Sequence, residues 1–266
     1  MASNPIADIF RIKDLRERVL FTLSILAIFR LGATIPIPGI NLNALQLYFD
    51  TQQAGAGISV TDYLDFFAGG AFWRFSVFML GIMPYISMSI IMQLLLLVFP
   101  ALKRISEEDG GRKKIQRYTR YGTVVVALIQ SFAVTVYADS IPDAITISRG
   151  LYTVVSMISV TSGTVLLMWM GEQINQRGIG NGISLIIFSG IVARMPNAMW
   201  LLVQRVRTGD LNPVFVIVVF AMFVAVVSLV VYEQRGQRKI PIHYAKRVVG
   251  RRMYGAQNTY VPFKIN

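Results

Sequence analysis

The sequence contains no cysteine, which excludes a disulfide framework, a thiolate metal site and a cysteine nucleophile. Its single histidine is His243; with no second histidine beside it, this residue reads as part of an ordinary tail rather than as a metal ligand. Charge is also scarce. Asp, Glu, Lys and Arg make up 15% of the 266 residues, against roughly 25% in a soluble domain. Acidic residues number 14 against 26 Lys and Arg, and none falls in the middle of an apolar run. Ion-coupled transporters and proton pumps ordinarily place a carboxylate or histidine there. There is no Walker lysine loop, no H-E-x-x-H and no G-x-S-x-G elbow. The glycine-rich RGIGNGIS (Arg177–Ser184) lacks the preceding soluble strand of a phosphate-binding loop. It reads as a tight turn, with Asn181 or Ser184 capping the next helix. These absences disfavour an enzyme and call for no cofactor and no metal.

What is present is apolar. Hydrophobic residues make 54% of the chain, and runs near the ~20 residues that cross a hydrocarbon core recur along it. Six spans are expected, at about 19–38, 75–99, 119–138, 151–171, 182–202 and 213–232. The fifth carries Arg194 and Pro196 and is expected to be broken or tilted. The first run is long and lacks a small-x-small cleavage site, so it reads as a span rather than a cleavable signal. Lys and Arg crowd the tail 1–18, the connection after span two and the tail 233–266, whereas the opposite connections hold only Arg74, Arg149, Arg194, Arg205 and Arg207. By the positive-inside rule both ends lie in the cytoplasm. That rule also accounts for most of the +12 net charge without invoking nucleic acid. The expected fold class is an all-α polytopic membrane protein.

Two segments fit neither span nor simple loop. The connection 39–74 contains TDYLDFFAGGAFW, in which Leu64, Phe67, Ala68, Ala71 and Phe72 recur with helical spacing. It is too short to cross, carries Asp62 and Asp65, and is softened by Gly69 and Gly70. An interfacial or re-entrant helix is expected, and re-entrant backbone needs protein or water around it. The tail 233–266 is basic and holds two alternating stretches, RKIPIHYA and TYVPFKIN, expected to form a short hairpin.

The motifs RLGATIPIPGI (Arg30–Ile40), FFAGGAFWRFSVFMLGIMPYISMSIIMQLL (Phe66–Leu95), GRKKIQRYTRYGT (Gly111–Thr123), LMWMGEQINQRGIGNGIS (Leu167–Ser184), YEQRGQRKIPIHYAKR (Tyr232–Arg247) and GRRMYGAQNTYVPFKIN (Gly250–Asn266) resemble, in collinear order, the bacterial SecY family. The resemblance implies ten spans in two pseudo-symmetric halves of five. By that pattern 19–212 is the first half, 213–232 is span six and 233–266 is the cytoplasmic loop before span seven. It implies a passive protein-conducting channel in the bacterial cytoplasmic (inner) membrane, carrying unfolded secretory polypeptides and releasing membrane segments sideways into the lipid bilayer. The implied partners are SecE and SecG, with the SecA motor or a translating ribosome on the cytoplasmic side.

Carried over to this numbering, the implied plug is Thr61, Asp62, Tyr63, Leu64, Asp65, Phe66, Phe67, Ala68, Gly69, Gly70, Ala71, Phe72 and Trp73. The implied pore ring is Ile82 and Ile86 with Ile183 and Ile187, each pair spaced i, i+4 and so facing one way. Ser87, Ser89 and Gln93 are candidates for the lateral gate. Arg235, Arg238, Lys239, Lys246, Arg247, Arg251 and Arg252 are candidates for docking SecA or ribosomal RNA phosphate. Residue by residue the bland readings are helix packing for the isoleucines and interhelical hydrogen bonding for the span-two polar residues. Phe72 and Trp73 make this plug bulkier than the family pattern. Part of the family's gate and ring would come after Asn266, where an apolar span is expected within a few residues. A small-solute transporter with its coupling residues in that further half is the alternative.

Overall fold

A computed structural model describes residues 12–53, 65–209, 211–242, 247–249, 252–254 and 259–264. Thr61, Asp62, Tyr63 and Leu64 of the expected plug lie outside the described residues, as do His243, Lys246 and Arg251 of the tail.

The first helix, α1 (Lys13–Gly32), has Asp14 in its first turn and Arg30 in its last, the arrangement its dipole favours. Its buried face is Thr22, Ile25 and Phe29. A short helix α2 (Leu42–Gln53) comes next, with the Asn41 side chain accepting the Asn43 amide at 3.1 Å. The remaining helices are α3 (Met83–Val98), α4 (Pro100–Glu107), α5 (Gly111–Asp139), α6 (Arg149–Arg177), α7 (Gly182–Val192), α8 (Met195–Arg207) and α9 (Pro213–Arg235). Among the described residues, four helical stretches are long and apolar enough to cross a membrane: α5, α6, the α7–α8 stretch and α9. The bent α3–α4 pair is a fifth by length and composition.

Three of the expected spans are not helical throughout, and the fifth is interrupted at the place where Arg194 and Pro196 suggest a break. The run 19–38 is helical only to Gly32, because Pro36 and Pro38 lie just beyond and a helix cannot continue through them. The run 75–99 is helical only over Met83–Val98. Upstream of it Gly69, Gly70, Phe75 and Gly81 all have positive φ, a conformation that breaks any helix, and Pro84 sits in the first turn, where proline is tolerated. At its other end the chain turns by 103° between α3 and α4 at Phe99-Pro100. The run 182–202 is interrupted at Ala193-Arg194, between α7 and α8.

The pairing of α5 with α6 depends on small residues. Thr119, Thr123, Ala127, Ser131 and Thr135 recur every fourth position on the buried face of α5. Tyr152, Ser156, Val160 and Thr164 do the same on α6. Thr135 donates to Ser156 and Ser131 meets Thr161, both at 3.4 Å. Most of these hydroxyls also bond a carbonyl one turn back, as Thr123 does to Thr119 at 2.7 Å, which satisfies them between the helices. Small-xxx-small faces let backbones approach where lipid offers no hydrophobic drive for association.

The chain divides into two compact units, Met1–Pro196 and Asn197–Asn266. In the second, α9 starts at Asn212, whose side chain accepts the Val214 amide. None of its side chains is buried, and a helix apolar all round that stays exposed is suited to lipid contact. The tail forms nested antiparallel pairs. Strand β1 (Gln237–Ile242) lies on β4 (Thr259–Lys264), with Ile240 opposite Val261, and β2 (Arg247–Val249) lies on β3 (Arg252–Tyr254). The two alternating stretches of the tail therefore pair as a small sheet.

A Cβ on Gly163 would lie 2.1 Å from the Val77 carbonyl oxygen. Gly163→Ala is therefore expected to destabilise the protein by about 1–3 kcal/mol through overpacking against backbone. Gly150→Ala, with nothing within 4 Å, should show no such loss when thermal unfolding of the two variants is compared in detergent.

Candidate functional site

Residues 65–82 run through the bundle without a long helix, so each of their backbone groups needs a partner within the protein. Phe75 supplies its carbonyl to the Ile37 amide at 2.8 Å, and Val77 donates its amide to the Ile35 carbonyl at 3.0 Å. These bonds form a short bridge between Pro36 and Ser76. A second bridge joins Ile40 to Ile145, tying the chain before α2 to the loop before α6. The IPIPGI sequence is thus extended because it serves as a bonding edge, a role that its prolines allow and a helix would deny.

The start of the segment is held by charge. Asp65 is fully buried. One carboxylate oxygen accepts the Trp73 amide at 3.1 Å, and the other pairs with the Arg194 guanidinium. Arg30, from α1, donates to the Gly69 carbonyl at 3.0 Å. Gly69 lies so close to Gly190 of α7 that a Cβ on Gly69 would come within 2.6 Å of the Gly190 Cα. Trp73 stacks on Phe49 with ring centroids 5.3 Å apart. Phe72 and Phe75 pack on Tyr137 at 6.1 and 6.2 Å. The Trp73 indole N–H is buried with no hydrogen-bond partner.

Each of the four candidate ring residues belongs to or packs against the apolar core, which extends through α1, α2, α3, α5, α6 and α7. Ile82 is buried at the start of α3, and Ile86 lies one turn on, half-buried against the same cluster. Ile183 and Ile187 flank it from α7, with Ile186 buried between them. The α7 register is set by Asn181, whose side chain accepts the Ile183 and Ser184 amides, and by Asn175, which accepts the Gly182 amide at 2.7 Å. Gly171 makes room for Ile183: a Cβ there would meet the Ile183 side chain at 3.2 Å.

Of the span-two polar residues, Ser87 lines a cavity of about 370 Å³ with Phe72, Met83, Gln130, Val134 and Tyr137. Ser89 is half-buried and Gln93 is exposed; neither lines that cavity. In the tail Arg235, Arg238 and Lys239 are exposed, with the Lys239 ammonium 4.7 Å from the Tyr260 ring centre. Arg247 and Arg252 fall on the inner strands β2 and β3.

The ion pairs are not legible in the sequence. Arg194 stands out there as a charge in a span and Asp65 as an acid in an amphipathic segment, but nothing in their spacing joins them. A second pair, Arg120 to Glu172 at 2.7 Å, links α5 to α6, with Gln116 adding a longer bond at 3.4 Å.

A sequence profile of SecY matches residues 76–266. The protein translocase subunit SecY of Borreliella burgdorferi is 49% identical over 261 residues, covering 97% of this chain and 58% of that protein. The Escherichia coli K12 subunit of the same name is 44% identical over 257 residues, covering 95% and 57%. The fold is similar to a solved protein conducting channel (TM-score 0.60, 20% identity, 94% of this chain and 52% of that one). It is also similar to Sec61 in a canine ribosome-channel complex (TM-score 0.58, 20% identity, 85% and 49%). The chain spans about three-fifths of the length of the curated bacterial relatives. With the profile covering most of its residues and nearly half of its positions identical to one such relative, the chain belongs to the SecY family.

Proposed function

We propose that this chain supplies the first half, and the span after it, of a channel that passively conducts unfolded secretory polypeptides across the bacterial cytoplasmic membrane and releases membrane segments into lipid. The observation that carries the reading is the segment 65–82, helical only over 65–68 and irregular beyond, seated inside a helical bundle and leading directly into Ile82 and Ile86. A membrane protein tolerates such backbone only where protein or an aqueous cavity surrounds it. As a plug it would close the passage from outside, and Ile82, Ile86, Ile183 and Ile187 would form most of the waist. An apolar constriction offers hydrated ions no ligands, so it resists their passage by desolvation. It makes no sequence-specific hydrogen bonds, so chains of any composition can slide past it. Support also comes from a similar solved structure, described as showing that the plug domain of SecY stabilises the closed state and maintains a membrane seal (TM-score 0.59, 20% identity, 94% of this chain and 52% of that one).

In this reading bond chemistry and cofactors have no part. SecE and SecG complete the membrane complex, and Ser87, with Ser89 and Gln93, borders the lateral gate. The tail around Arg235, Arg238, Lys239, Arg247 and Arg252 meets SecA or ribosomal RNA, and the N-terminus stays cytoplasmic by the positive-inside rule. A small-solute transporter is less well supported. Among the described residues the buried carboxylates are Asp65 and Glu172, and both are paired with arginine rather than open to a coupling ion.

A stalled secretory chain with a photo-crosslinker at its mid-channel position should label Ile82, Ile86, Ile183 or Ile187 in the full-length protein; labelling confined to lipid-facing positions would sink the reading. Deleting Thr61–Trp73 should raise ion leakage across planar bilayers while export continues, and unchanged conductance counts against a plug. The isoleucines of α7 should also separate by role. Ile186→Ala is expected to destabilise by about 2–5 kcal/mol, as core truncations do. The half-buried Ile187→Ala should lose clearly less stability in detergent unfolding and act mainly on leakage.

A further inference from the structure

Apolar burial alone would suffice to seat residues 65–73, yet their seat is built from charge. Asp65 is fully buried and meets Arg194, which stands at the break between α7 and α8. Arg30, from the last turn of α1, reaches the Gly69 carbonyl. Between these two arginines the bare backbones of Gly69 and Gly190 come into contact. Two helices thus grip one short segment through three polar or steric points, and Arg194 also lies 6.0 Å from the Trp73 ring centre.

We infer that Arg194 and Arg30 are positioning residues that latch residues 65–73 between α1 and the end of α7, with the Asp65–Arg194 pair as the part that opens. The inference rests on the reading of this segment as a movable plug. Three features favour a latch over a permanent staple. The Arg194 side chain is 40% exposed while Asp65 is not exposed at all, so the pair is open on the arginine side and closed on the aspartate side. Arg74 and Arg194 both lie near enough to Arg30 to repel it, so the cations around the segment oppose as well as hold it. The Trp73 indole N–H has no hydrogen-bond partner among the described residues, so leaving the seat breaks no bond of that group. The glycine contact makes the seat specific, because any side chain at Gly69 would meet α7 backbone.

The test uses the full-length protein with its partner subunits in lipid, carrying Asp65→Asn, Arg194→Gln or Arg194→Lys. Hydrogen exchange is measured in peptides covering 65–82, α5 and α6, and ion leakage is recorded in parallel. Asp65→Asn keeps an acceptor for the Trp73 amide and so guards against simple misfolding. Both charge-removing variants should speed exchange across 65–73 by about tenfold, the scale expected for a pair between surface and buried limits. Arg194→Lys should stay near the parent, α5 and α6 should be unchanged, and leakage should rise in the same order as exchange. Exchange across 65–73 that is the same in all variants overturns the latch. A rise shared equally by α5 and α6 also overturns it, because the pair would then support the whole bundle. Faster exchange of 65–73 with no added leakage would leave the latch standing and defeat the plug.

Discussion

A peptide group that leaves a helix inside a membrane must find its partner in the protein, and most of this architecture stems from residues 69–82 leaving it. Extended IPIPGI backbone is placed beside the segment to accept and donate its bonds. Phe29, Phe75 and Phe78 are buried in the core, and Phe29 stacks on Phe78 at 6.0 Å. Helix α3 is accordingly short, beginning only where Pro84 can serve as a first-turn residue. The bundle around it is rigid in order that this stretch can be irregular.

That rigidity comes from close backbone approach rather than from bulk. Thr, Ser and Ala at every fourth position bring α5 and α6 together, and Gly163 lets α6 touch the Val77 carbonyl. Gly171 and Gly182 do the same where α6 meets α7, a Cβ on Gly182 falling 2.1 Å from the Gly171 carbonyl oxygen. In lipid, where apolar side chains gain little by leaving one another's company, such contacts and the buried hydroxyl bonds supply what hydrophobic burial supplies in water. Residues 65–73 are fixed differently from the flanking helices, by a half-exposed ion pair, an arginine bonded to a carbonyl and a glycine contact.

Much of this is legible in the sequence. The helices α5, α6 and α9 fall on apolar runs, the odd character of the 61–73 segment is plain from its length and its two acids, and the alternating stretches of the tail do form a small sheet. Ile82 and Ile86, and Ile183 and Ile187, share faces by simple spacing. Less legible is where helices stop inside an apolar run. The stretch 75–82 is rich in Phe, Met, Leu and Ile, as α3 is, and hydropathy does not register the positive φ of Phe75 and Gly81. Arg194 looks like a defect in a span, and its partner lies 129 residues away in sequence, beyond any local pattern.

Composition and charge placement determined by themselves that this is a helical membrane protein, which residues are apolar enough to span and, through ordered motifs, its family. These are properties of local stretches measured against lipid and water, so the linear chain carries them fully. Tertiary structure alone decided which backbone stays non-helical, which arginine meets Asp65, and which bare glycine backbones touch, as Gly69 and Gly190 do. Those outcomes depend on which groups are left without water when the helices close around them, and that is a property of the packed bundle.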